Sequence, residues 1–233
     1  MSCKENYLKV LEKVSSDLKK AGRDASECTL VAVSKTKPLE LLKEAYEAGC
    51  RDFGENYVQE LIDKIPQMPD DVRWHMIGHL QTNKVKYLIG KTYLIHSVDS
   101  VKLAGEISKQ SVKAGIVTDI LLEVNVAEEE SKFGFTSENI MDGVLEISRL
   151  PGVCVKGLMT SAPICEDSEE NRVYFQKLKQ LSIDIKKQNI DNVYMGFLSM
   201  GMSGDYEVAL SEGSTYVRVG TAIFGERDYS KKN

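Results

Sequence analysis

The chain has 233 residues, 42% hydrophobic and 28% charged, with 30 Lys+Arg against 35 Asp+Glu and a formal net charge of −5. This is an ordinary globular composition, long enough for one large domain or two small ones. No uncharged stretch approaches the eighteen or so apolar residues of a membrane span. The opening MSCKENYLKV has no apolar signal core. The acidic excess argues against the basic stripe that sequence-independent nucleic-acid binding requires. A cytoplasmic protein that handles something small is the expectation. Five scattered cysteines, Cys3, Cys28, Cys50, Cys154 and Cys165, form no CxxC pair. They read as reduced thiols, mostly small core residues.

Taken in chain order, Tyr7, Leu8, Leu11, Val14 and Leu18 recur at helical spacing and predict an N-terminal helix over about 4–22. A β-branched run follows at 29–35 (TLVAVSK). Pro38 suits the start of a helix over 38–49, with Gly49 near its end. Further strand candidates lie at 52–56, 73–78, 93–98, 119–125, 153–160, 192–200 and 216–221. Amphipathic stretches separate them. Tyr57, Val58, Leu61, Ile62 and Ile65 form one stripe, and Tyr174, Leu178, Leu181 and Ile185 another. Asp167 and Glu170 have capping-box spacing before the latter. The helix expected after 73–78 is weak.

Alternating strands and helices imply parallel strands joined by right-handed crossovers. Eight such units fit a single (β/α)₈ barrel, a TIM barrel near its lower size limit. A doubly wound open sheet would give the same alternation. The polar residues favour the barrel, because Lys35, Asn56, His79, Asn125, Thr160, Ser199 and Arg218 all fall at or just beyond the C-terminal ends of strand candidates. A barrel assembles its site on that rim. The whole chain, 1–233, is expected to be one domain, with the barrel at about 29–226.

Lys35 ends the first strand in AVSKTKP. A lysine held beside apolar walls at a strand end can lose its ammonium preference and act as a nucleophilic amine toward an aldehyde. The alternative is a solvated lysine at a loop edge, which is the reading for Lys37. The segment SMGMSGD (199–205) and the run RVGT (218–221) put glycines and hydroxyls after the seventh and eighth strands. Barrels commonly seat a phosphate there, on backbone N–H groups and a helix N-terminus. His75 and His79 are four apart, but His75 falls inside a strand and His96 in the next one. With no carboxylate or cysteine spaced to complete a set, no metal is expected. No G-x-S-x-G elbow, Walker A loop or G-x-G-x-x-G fingerprint occurs.

Six blocks in order carry a resemblance: AVSKTKP (32–38), FGENYVQE (53–60), WHMIGHLQTNK (74–84), GLMT (157–160), LSMGMSGD (198–205) and RVGTAIFGERDYS (218–230). Together they resemble the YggS/PROSC family of pyridoxal-phosphate homeostasis proteins, similar in fold to the N-terminal barrel of bacterial alanine racemase. The resemblance implies that Lys35 bonds pyridoxal 5'-phosphate covalently as a Schiff base. It implies that Ser199, Gly220 and Thr221 hold the phosphate, with the SMGMS backbone assisting. Asn56 would lie against the ring and Arg218 would face the ring nitrogen or else serve the phosphate. His79 and Met202 would line the pocket.

The function so implied is intracellular buffering and delivery of the cofactor, with little or no catalysis. Racemases of this fold add a tyrosine from a second domain. Here the sequence ends eight residues after Gly225 and gives Tyr229 no such role. Two alternatives stand: an amino-acid racemase, and a Schiff-base aldolase acting on a phosphorylated sugar without the cofactor. Cofactor-dependent apo-enzymes are the expected partners and a monomer the expected state.

Overall fold

The computed structural model describes residues 2–226, so Tyr229 lies outside the described residues. Eight parallel strands close into one barrel in sequence order. They are β1 Thr29–Val33, β2 Asp52–Glu55, β3 Arg73–Met76, β4 Leu94–Val98, β5 Thr118–Glu123, β6 Val153–Met159, β7 Val193–Met202 and β8 Tyr216–Val219. Closure is made by β1 against β8, from Thr29 opposite Tyr216 to Ala32 opposite Val219. All eight expected strands are present, and the open sheet is excluded. Strands covered by helices outside and side chains inside are buried on both faces, as the fully buried β4 and β8 are.

Around the barrel run α2 Leu39–Glu47, α3 Val58–Lys64, α4 Val101–Ala114, α5 Ile140–Ile147, α6 Arg172–Lys187, α7 Tyr206–Ser211 and α8 Thr221–Phe224. Between β3 and β4 stands only a 3₁₀ helix, Thr82–Tyr87. Pro38 lies one residue outside α2, as its N-cap, and Gly49 follows that helix at φ +103°, a left-handed stop that glycine adopts without strain. The expected capping box at 167–170 takes another form. The Asp167 carboxylate accepts from Glu169 N at 2.9 Å and starts a 3₁₀ turn ahead of α6.

The extra N-terminal helix is α1, Cys3–Lys20. A reciprocal capping box between Ser2 and Glu5 starts it. Its buried stripe is Cys3, Tyr7, Val10, Val14 and Leu18. Leu8 and Leu11, expected on that stripe, are instead 44% and 40% exposed. The helical spacing of Tyr7, Val10, Val14 and Leu18 fixes the inward face, and Leu8 and Leu11 stand one position round from it. The helix packs against α2, α7 and α8, and Asn6 Nδ2 donates to the Ile223 carbonyl at 3.2 Å.

Inside the barrel, Val31, Leu94, Leu121, Met159 and Tyr216 form a separate apolar layer. The pairing of β6 with β7 slips by a bulge between Val155 and Gly157, and there the backbones approach closely. A Cβ on Gly157 would lie 1.8 Å from the Phe197 carbonyl oxygen, so only glycine fits. Gly157→Ala should therefore lower stability by about 3 kcal/mol, at the upper end of ordinary overpacking costs. Urea unfolding followed through Trp74, the one tryptophan and a buried one, measures this; an unchanged midpoint would contradict the close approach.

Candidate functional site

The C-terminal rim of the barrel carries a cavity of about 280 Å³, lined by Val33, Lys35, Asn56, Ile77, Ser161, Met202, Ser203, Gly204, Arg218, Gly220 and Thr221. Six of the eight residues singled out in the sequence meet here: Lys35, Asn56, Met202, Arg218, Gly220 and Thr221.

Lys35 stands two residues beyond β1, between two residues that are pinned. Ser34 is buried, with its hydroxyl donating to Glu55 Oε1 at 2.6 Å. The Lys64 ammonium, also buried, donates to the Ser34 carbonyl at 2.8 Å and to Glu55 at 2.7 Å. It also reaches Glu60, whose Oε1 accepts from Thr36 N at 2.7 Å. Thr36 is held at φ +63°, a left-handed conformation that a β-branched residue seldom adopts. One buried cation thus anchors the backbone on both sides of Lys35. Lys37 turns away, donating to the Gly225 and Glu226 carbonyls.

Opposite, Ser203 and Gly204 from the turn after β7 face Gly220 and Thr221 after β8. Gly220 N donates to Ser203 Oγ at 3.3 Å, tying the two turns together. A Cβ at Gly220 would press on the Val33 carbonyl at 3.2 Å. Thr221 and Ser203 are exposed, so their hydroxyls are available to a ligand. On the third wall, Asn56 Oδ1 is a buried oxygen with no hydrogen-bond partner among the described residues.

Arg218 forms the floor. It is 4% exposed, and its guanidinium donates to Ser199 Oγ at 2.6 Å and to the Thr160 carbonyl at 2.8 Å. Burial pulls it down to about 10, against the attraction of Glu123 and Asp205, so it remains a cation at neutral pH. Behind Ser199 lie His96, His75 and Asp52, hydrogen-bonded in turn through the barrel interior. Burial holds both imidazoles below the ordinary histidine value, His96 well below.

Two residues expected on this cavity, Ser199 and His79, fall elsewhere, and one that lines it, Ser203, carries no mark of its own in the sequence. Ser199 is not on the turn that lines the cavity. A second bulge, between Ser199 and Met202 against β8, lets β7 run on to Met202. Ser199 therefore sits inside the barrel at 0% exposure, and the hydroxyl on the turn is that of Ser203. His79 lines a neighbouring cleft of about 480 Å³ with Tyr57, Gln81 and Lys84, and Asn56 is shared between the two. Its Nδ1 pairs with Asp99 at 2.9 Å and its ring stacks on Phe133 at 3.8 Å. Asn125 and Thr160, also read as rim residues, are spent on structure: Asn125 braces the Glu129 turn, and Thr160 Oγ1 donates to the Val124 carbonyl. Among the described residues no cluster of three histidines, cysteines or carboxylates is placed to hold a metal. None of their helices is long and apolar enough to cross a membrane.

Comparison with known proteins places this architecture. The family described as the alanine racemase N-terminal domain matches residues 11–228. A pyridoxal phosphate homeostasis protein of Aquifex aeolicus is 46% identical over 98% of this chain and 100% of its own length. PipY of Synechococcus elongatus, solved with PLP bound, is 32% identical with a TM-score of 0.79, covering 91% of this chain and all of its own. An alanine racemase of Clostridium difficile shares the fold at 13% identity and a TM-score of 0.72, over 93% of this chain and 59% of its own.

Glu123, at the end of β5, is pushed up to about 7 from 4.5 by burial, with Asp99 adding to the rise and Arg218 and Lys132 opposing it. The native chain therefore holds a proton that the unfolded chain releases between pH 4.5 and about 7, and stability falls as pH rises through that window. Glu123→Gln should be neutral near pH 4.5 and stabilising by roughly 2 kcal/mol at pH 8, after discounting for the group's partial exposure. Equal urea midpoints for variant and native protein at pH 8 would contradict the shift.

Proposed function

This chain belongs to the alanine racemase N-terminal-domain family and, within it, to the pyridoxal phosphate homeostasis proteins, and from that premise we propose that it holds pyridoxal 5'-phosphate in the rim cavity as a reserve of the cofactor rather than as a catalyst. The observation that carries this reading is one cavity lined by an amine, a glycine-hydroxyl turn facing it and a buried guanidinium at its floor. The orphaned Asn56 oxygen and the tight approach at Gly220 fit a planar polar ligand better than open solvent.

Pyridoxal phosphate, when bound, supplies an aldehyde that an amine captures reversibly and a pyridine ring that draws electrons. Lys35 offers the amine, with its backbone fixed by the Lys64 anchor. Ser203 and Thr221 would hold the phosphate through their hydroxyls, with the backbone at Gly204 and Gly220 beside them. Asn56 and Met202 would flank the ring, and Arg218 would offer a donor to the ring nitrogen. Because a guanidinium keeps its proton, it would leave that nitrogen neutral and the ring a weak electron sink. Weak electron withdrawal would disfavour transamination and decarboxylation while leaving capture and release by Lys35 intact.

In this reading the chain works as one domain, as a monomer in the cytoplasm, and delivers the cofactor to cofactor-dependent apo-enzymes. Lys35→Ala should abolish the visible absorption of protein mixed with pyridoxal phosphate and its trapping by borohydride; an unchanged band would assign the amine to another lysine. Ser203→Ala and Thr221→Ala should each weaken cofactor binding about tenfold or more, since a hydrogen bond to a dianion contributes about 1.5–3 kcal/mol. Native affinity in both folded variants would move the phosphate elsewhere.

A further inference from the structure

We propose that Ser199, His96 and His75 are positioning residues that hold Arg218 through a one-way run of hydrogen bonds ending on Asp52. The direction of every link follows from proton counting. A guanidinium only donates, so Ser199 Oγ accepts from Arg218 at 2.6 Å. The single hydroxyl proton of Ser199 then goes to its other neighbour, His96 Nδ1, at 2.8 Å. With Nδ1 accepting, a neutral His96 carries its proton on Nε2 and donates it to His75 Nδ1 at 2.9 Å. His75 must likewise carry its proton on Nε2, which meets Asp52 Oδ1 at 3.0 Å. At the far rim, Arg73 Nε donates to the same Asp52 oxygen at 2.7 Å. A fixed donor at one end and a fixed acceptor at the other leave each ring one tautomer.

The run is enclosed. His75 and His96 are fully buried, and the Tyr216 ring stands 5.7 Å and 5.4 Å from them. A second proton on either ring would turn the His96–Ser199 link round and leave the Ser199 hydroxyl proton without a partner among the described residues. Burial favours the neutral form of both imidazoles, in agreement with the count. The proposal deepens the cofactor reading, and rests on it, only in assigning the run's effect to the ring nitrogen that Arg218 faces.

The first test needs no cofactor. Nitrogen-15 NMR of histidine-labelled protein at neutral pH should show His75 and His96 neutral, each protonated on Nε2 and accepting on Nδ1. A charged ring, or a proton on either Nδ1, would overturn the run whatever the protein binds. The second test compares Ser199→Ala with Ser199→Thr, which keeps the hydroxyl. Ser199→Ala should release His96 from its single tautomer, shift the absorption maximum of protein loaded with pyridoxal phosphate and weaken its binding about tenfold; Ser199→Thr should restore all three. A folded Ser199→Ala protein with native spectrum, affinity and His96 tautomer would overturn the positioning role. If Ser199→Ala does not fold, the native tautomers decide alone. If native protein binds no pyridoxal phosphate, the proposed function fails while the tautomer result still stands or falls by itself.

Discussion

A guanidinium placed inside an eight-stranded barrel is the constraint around which the interior is arranged. Burying a charge without partners costs several kcal/mol, and removing one partner of a buried pair costs about 3–5 kcal/mol. Arg218 is therefore given acceptors from two places on the barrel: Ser199 on β7 and the Thr160 carbonyl just past β6. Those commitments explain features that would otherwise look unrelated. They account for polar side chains at the heart of β3 and β4, and for a β7 that slips its register to bring Ser199 beneath the cation.

A second buried cation does for the backbone what Arg218 does for the cavity floor. Lys64 gathers Glu55, Glu60 and the Ser34 carbonyl, and through them the left-handed Thr36. The residue before Lys35 and the residue after it are thereby fixed by one ammonium group 9 residues from Glu55 and 30 from Ser34. Strain at Thr36 is local and sits beside the cavity, where sparsely populated backbone conformations commonly serve function. The arrangement gives Lys35 a rigid backbone mount.

How far the site could be read from residue order follows the same physics. Strand existence was legible because parallel strands are short apolar runs between helical periodicities, and the C-terminal rim was legible because polar residues interrupt those runs. Lys35, Asn56, Met202, Arg218, Gly220 and Thr221 were placed correctly on the cavity by that logic together with the family blocks. Ser199, expected on the cavity, lies inside the barrel while Ser203 lines it, because a bulge shifts register without any mark in composition, and both serines occupy the same SMGMSGD run. Leu8 and Leu11 misled for a different reason: apolar residues on a helix surface satisfy the period yet need not face inward. The histidines read from the sequence as satisfied interior or rim residues rather than metal ligands; what it does not show is the direct bond between His75 and His96, since neighbouring strands do not by themselves fix a side-chain contact.

The closing of β8 on β1 has a consequence for when the molecule becomes competent. Lys35 and its anchor belong to the first two strands and the helix after them, whereas Arg218, Gly220 and Thr221 belong to the last strand and the turn beyond it. During synthesis from the N-terminus, the amine emerges long before the guanidinium and the turn that faces it across the cavity. Completion of the cavity is thereby coupled to completion of the fold: the same strand that seals the sheet brings the last of the cavity's lining.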